Sequence, residues 1–173
     1  MTADATWLAG LQEASFAGAN AATRSSFPPP RRLTGPQLVH VLLTRRNGVL
    51  ATTRKDGRPH SAPCAFVLFG RAIWLPVVAG AARAANVARQ PWVSLVVAEG
   101  HGNEHGVVII EGPATVVSVE PEGLAEAATA KLESLSWIDR WIRLAPAKLL
   151  SYAAEKWEHS PHGQDSGRNR VVD

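Results

Sequence analysis

Two runs decide the fold: Val49-Leu50-Ala51-Thr52-Thr53, and then Ser61-Ala62-Pro63-Cys64-Ala65-Phe66-Val67-Leu68-Phe69. Both are apolar and partly β-branched, and the polar tip Arg54-Lys55-Asp56-Gly57-Arg58 joins them. Asp-Gly between two such runs is a strong short-range signal for a β-hairpin, because Gly accepts the positive φ that a tight turn needs. Gly70-Arg71 makes a second turn, and Ala72 to Val78 continues as a third strand. Upstream, Thr34 is placed to cap a helix with Pro36 in its first turn, and Leu38, Val39, Leu42 and Leu43 line one face until Asn47-Gly48 stops it.

Downstream the rhythm changes. Ala81, Ala82, Ala84, Ala85 and Ala88 are good helix formers, so Gly80 to Gln90 reads as a short helix that Pro91 ends. Trp92 to Ala98 is a strand again, and Glu99 to Gly106 is a glycine- and histidine-bearing loop. Val107 to Val119 is apolar, with Gly112-Pro113 expected as a bulge or edge feature. A helix is expected from Glu120-Pro121 to about Leu135, and Trp141 to Tyr152 reads as either a closing strand or a helix. Consecutive strands joined by short turns imply an antiparallel sheet curled into a barrel, with one helix inserted after the third strand. The expected class is mainly β with peripheral helices.

Three regions follow. Residues 1–33 form an N-terminal arm in which Trp7, Leu8, Leu11 and Phe16 can share a helical face before Pro28-Pro29-Pro30 imposes an extended spacer. It packs on a partner subunit or is poorly ordered. Residues 34–157 form the barrel domain, and 158–173 a polar tail.

Composition narrows the function classes. The chain has 173 residues, 46% hydrophobic and 19% charged, which excludes a disordered, collagen-like or coiled-coil chain. Its net charge of +3 is not gathered into a basic stripe, so a nucleic-acid partner is not expected. No apolar run is long enough for a membrane span, and the first residues do not read as a signal peptide. Cys64 is the one cysteine, so no intrachain disulfide forms and a cytoplasmic setting is expected.

The segment Gly80-Ala81-Ala82-Arg83-Ala84-Ala85-Asn86 carries the chemistry. Arg83 falls in the first turn of its helix, where the macrodipole disfavours a cation and backbone N–H groups lack partners. A bound phosphate resolves both, and Asn86, one turn on, can add a donor. The plain alternative is an exposed Arg on an Ala-rich surface helix. His101 and His105, with Glu104 or Cys64, lack the spacing of known metal motifs, so no metal site is expected. Cys64 reads as a small buried residue. Trp74, Trp92, Trp137 and Trp141 read as core or interface anchors, the last two also placed to cover a ligand.

Taken in order, Gly48 to Pro63, then Gly80-x-x-Arg83-x-x-Asn86, then Gln90 to Val97, then Ile110-Glu111-Gly112-Pro113-Ala114, the chain resembles the pyridoxamine 5′-phosphate oxidase-like split-barrel family over about Pro36 to Tyr152. The resemblance implies a six-stranded antiparallel split β-barrel of the FMN-binding type. It also implies a homodimer that binds FMN, or the deazaflavin coenzyme F-420, at its interface and acts on a small-molecule substrate. It places His60, Ser61, Ala62 and Pro63 beside the flavin ring, and Val77 and Val78 in backbone contact with the cofactor. Ala82, Arg83 and Asn86 fall at its phosphate, with Arg83 in the position of the family's phosphate-binding Lys or Arg. His60 is the best titratable candidate for a catalytic role beside the ring, the plain alternative being a solvated hairpin histidine. The vitamin-forming oxidases carry basic residues where this chain has Ala62 and Ala82, and a Gln near Val107. They also carry a C-terminal Trp and Arg that have no match here. These departures point to the broader branch of small flavin or deazaflavin reductases. Ala81 and Ala85, where deazaflavin members often carry basic residues, point to FMN. The abundance of Ala, and of Arg over Lys, fits a GC-rich genome, where deazaflavin enzymes are common. The function implied is a flavin-dependent oxidoreductase, with a non-catalytic flavin- or haem-binding protein as the alternative.

Overall fold

The computed structural model describes residues 2–100, 104–155 and 157. Helix α1 (Ala3–Ala17) is capped by Thr2, whose side chain accepts from the Ala5 N–H. Helix α2 (Ala21–Ser26) is capped in the same way by Asn20. A 3-10 turn over Pro29–Arg31 then leads to α3 (Gly35–Thr44). There the Thr34 N–H donates to Gln37 Oε1 at 2.8 Å, satisfying one of the amides that a helix start leaves orphaned.

Eight strands follow: β1 (Asn47–Thr53), β2 (Pro59–Ala65), β3 (Val67–Phe69), β4 (Ala72–Val77), β5 (Trp92–Glu99), β6 (Gly106–Val117), β7 (Arg140–Leu144) and β8 (Lys148–Ala153). Helix α4 (Ala82–Arg89) lies between β4 and β5, and α5 (Leu124–Thr129) between β6 and β7. All pairings are antiparallel, in the order β2-β1-β5-β6-β7-β4-β3, with β8 added on β6. The mainly β barrel with peripheral helices therefore forms as expected, but with eight strands rather than six. Two causes account for the difference. The run from Ser61 to Phe69 breaks at the fully buried Phe66, where the chain passes from one edge of the curled sheet to the other. The segment from Trp141 to Tyr152 is neither one strand nor a helix; it is divided between two strands.

The bulge or edge feature expected at Gly112-Pro113 does not interrupt the pairing with β5, whose register from Trp92↔Pro113 to Glu99↔Gly106 runs unbroken. Instead, this is where β6 changes its other neighbour, from β8 over Gly106 to Glu111 to β7 from Ala114 onward. The short link between β7 and β8 presses on Gly112 so closely that a β-carbon there would lie 2.1 Å from the Ala145 carbonyl oxygen, which only glycine tolerates. The helix expected from Glu120 to Leu135 is confined to α5.

One core fills the barrel and includes Leu50, Leu75, Leu95, Val108 and Ile110. Leu8 of α1 and Leu38 and Leu42 of α3 belong to the same core, so the N-terminal segment packs on its own barrel. Gln12 fastens it by donating to the Leu33 carbonyl at 2.9 Å. A smaller core joins Trp74 and Trp141 to Leu124, Ala128 and Leu132. Among the described residues no helix is long and apolar enough to cross a membrane.

Candidate functional site

Helix α4 starts without a side-chain cap, because its N-cap residue is Ala81, and Gly80 before it takes φ +73°, a left-handed conformation natural only to glycine. This sharp entry sets Arg83 in the first turn, half-buried rather than pointing away from the protein. Its Nη2 donates to the Pro76 carbonyl at 3.2 Å, while its Nε is buried and has no hydrogen-bond partner. A buried guanidinium N–H left unmatched is costly, and an incoming anion would relieve it.

The hollow that Arg83 lines has a volume of about 570 Å3, within the range of small-molecule sites. Pro63 and Cys64 of β2, Asn47 of β1, Arg46 before it, and Trp137 from the α5–β7 connection complete its principal walls. Arg46 is bridged to Glu133 at 2.8 Å on the open side. Burial pushes the Cys64 thiol up to about 11 against the opposing charge of Arg83, so the thiol is protonated near neutrality and is no nucleophile.

Not all of the expected site residues share this hollow. Pro63 and Arg83 do. Val77 and Val78 line a second hollow of about 410 Å3 with Gly80, Ala81 and Ala84; there the Val77 side chain is buried, and its carbonyl accepts from the Asp139 N–H at 3.0 Å. Asn86, despite its spacing from Arg83, is 4% exposed and turned elsewhere, donating to Thr52 Oγ1 at 3.0 Å and accepting from Arg89 Nη2 at 2.9 Å. His60 is half-buried beside Thr52, its Nδ1 3.4 Å from Thr52 Oγ1. Ser61 and Ala82 are exposed and Ala62 half-buried; none of these three lines the Arg83 hollow. Of the two candidate covering tryptophans, Trp137 borders the hollow, whereas Trp141 is buried in the smaller core and donates to Glu120 at 3.1 Å. Arg46 and Asn47 were not legible as site residues, since nothing local marks them. His101 lies outside the described residues, and His105 is stacked at 5.8 Å on Tyr152.

The outer face of the sheet leads into this hollow. Pro63, Val49, Val96 and Ile109 stand in register across four strands, and Leu150, next in the row on β8, is buried. Val49 is 45% exposed, and Trp92, also on the outward side of β5, is 56% exposed. Pro63 belongs both to this apolar row and to the wall of the hollow.

An antiparallel barrel whose two edges are linked through one buried residue, with a helix start beside its second strand, defines the split-barrel class. The family model described as pyridoxamine 5′-phosphate oxidase matches residues 35–160, and the chain belongs to that family. Among solved structures it is similar to the conserved hypothetical protein Rv2991 of Mycobacterium tuberculosis, at 23% identity and TM-score 0.65, over 82% of this chain and 99% of that one. It is also similar to HutZ, the haem storage protein of Vibrio cholerae, at 19% identity and TM-score 0.55, over 68% and 95%. A FAD binding protein of Mycobacterium smegmatis matches at 22% identity and TM-score 0.53, over 69% and 94%. At these identities the likeness is one of fold. A comparison with curated proteins finds no match.

Proposed function

We propose that the protein is a flavin-dependent oxidoreductase of the pyridoxamine 5′-phosphate oxidase-like family, working as a homodimer on a small organic substrate. The observation that carries this reading is Arg83, which lines a hollow of ligand size and whose Nε is buried and unmatched. Arg83 would hold the flavin phosphate, with Pro63 and Trp137 beside the ring. FMN is the smallest flavin that supplies the phosphate, and the deazaflavin coenzyme F-420 is the alternative. A bound flavin supplies hydride transfer itself, so the chain need only hold it, exclude water and admit the substrate. The apolar outer row would seat the second protomer and close the hollow at Pro63, since an open barrel of this size does not enclose a tricyclic ring by itself.

A non-catalytic flavin- or haem-binding protein is the second reading. It is favoured by the state of the titratable groups in the Arg83 hollow, where Cys64 is held as a thiol, Glu133 is already paired with Arg46, and His60 takes no part. A haem storage protein and a FAD binding protein share the fold. Titration of FMN into the wild type and Arg83→Ala tests the binding claim. The variant is expected to lose about 1.5–3 kcal/mol, roughly ten- to a hundredfold in affinity. Equal affinity in a folded variant would refute it. Multiple turnovers with a reductant and an acceptor then distinguish an enzyme from a carrier.

A further inference from the structure

The hairpin tip and the far half of α4 border a separate, open hollow of about 520 Å3, lined by Arg54, Lys55, Asp56, Asn86 and Arg89. We infer that this hollow is an anion subsite for the diphosphate of a nucleotide. The inference rests on the flavin reading only for which nucleotide carries that group.

Three cations meet here, and among the described residues none of them makes an ion pair. The one carboxylate, Asp56, is committed to Arg58 through bonds of 2.8 and 2.6 Å. Arg54 feels it only at longer range, helping to hold its carboxyl below the usual carboxylate range after the dominant hydrogen bonds from Arg58. Like charges gathered around one concavity repel each other, and a multivalent anion relieves them.

The arrangement is also built rather than merely solvated. Arg89 is held by Asn86, and Asn86 is itself buried and tied to Thr52 in β1. The guanidinium is thus fixed to the barrel before any ligand arrives, which lowers the ordering cost of binding. Arg89 sits in the last turn of α4, where the helix dipole favours a cation. Arg83 and Arg89 lie about 9 Å apart along the helix axis, at 1.5 Å per residue. At about 3.6 residues per turn the two side chains leave different faces of the helix, so this hollow is distinct from the one at Arg83 and the diphosphate of a nucleotide can fill it by itself.

ADP is the probe, because it carries the diphosphate and no flavin. ADP is expected to bind the wild-type protein in a salt-dependent manner. Its affinity is expected to fall about tenfold or more in Arg89→Ser and in the double variant Arg54→Ser/Lys55→Ser. The double variant changes only exposed hairpin residues and so keeps the test valid if Arg89→Ser fails to fold. FAD and FMN titrations locate the source. If FAD exceeds FMN by about tenfold and the double variant erases the gap, the diphosphate belongs to the flavin. If the two bind equally while ADP binding is lost in the variants, it belongs to a free nucleotide. No ADP binding by the wild type, or unchanged binding in both variants, overturns the inference. ADP binding that persists without flavin binding supports the subsite while removing the flavin reading.

Discussion

Gly35 lies so close to the backbone of Ala5 that a β-carbon on Gly35 would stand 2.4 Å from the Ala5 carbonyl oxygen. This contact lets α1 and α3 approach closely enough for Leu8 to reach full burial in the barrel core. Gly35→Ala must push α1 off its seat, and a loss of about 1–3 kcal/mol is expected, the usual range for overpacking. Leu8→Ala should cost about 2–5 kcal/mol through the cavity it leaves. Urea unfolding of both variants checks this; wild-type stability in either would show that α1 is not part of the folding unit.

Lys131 gives the fold a pH dependence. Its Nζ donates to the Leu42 carbonyl at 2.7 Å and stands 3.6 Å from the Phe66 ring centroid. Burial nonetheless lowers its amine from 10.5 to about 7. Between those values the unfolded chain holds a proton that the folded chain has released, so stability should rise with pH from about 7 to about 10.5; below 7 the penalty is present in full. The raised Cys64 thiol takes stability away above about pH 9, so denaturation midpoints should climb from about pH 7 to about 9 in the wild type and stay flat over that span in Lys131→Met. A flat wild-type profile would exclude a depressed amine.

Cys64 should be chemically silent in the folded protein. With its thiol at about 11, only about 0.1% is thiolate at pH 8. A disulfide reagent should therefore label the chain at the unfolding rate, whereas Ser61→Cys, on the exposed side of the same strand, should react at once. Rapid labelling of the wild type would contradict the burial.

The outward apolar row predicts the assembly state. Val49→Asp and Val96→Asp place charges on neighbouring strands in register, and sedimentation should show them shifting the protein from dimer to monomer, with weaker flavin binding. A monomeric wild type at micromolar concentration would remove the homodimer from the proposal.

How far the sequence carried the reading follows from the range of the forces involved. The Asp56-Gly57 turn and the Thr34 start of α3 were legible, because turn and cap chemistry is local. The docking of α1 on the barrel was not, since it depends on a backbone approach between segments far apart in the chain. Arg83 stood out by its place in a helix start. Asn86 was expected beside it from a three-residue spacing, yet α4 packs on the barrel so that one turn of helix separates two hollows. Arg46 and Trp137 enter the site only through the tertiary fold.

The exchange of partners along β6 has a mechanical consequence. Over Gly106 to Glu111 this strand is bonded on both edges, and from Ala114 it is bonded to β7 in the other half of the sheet. Neither half can peel away without tearing the same keystone segment. Amide protons near Ile110 should thus be the last to exchange with deuterium, and the barrel should melt in one cooperative step.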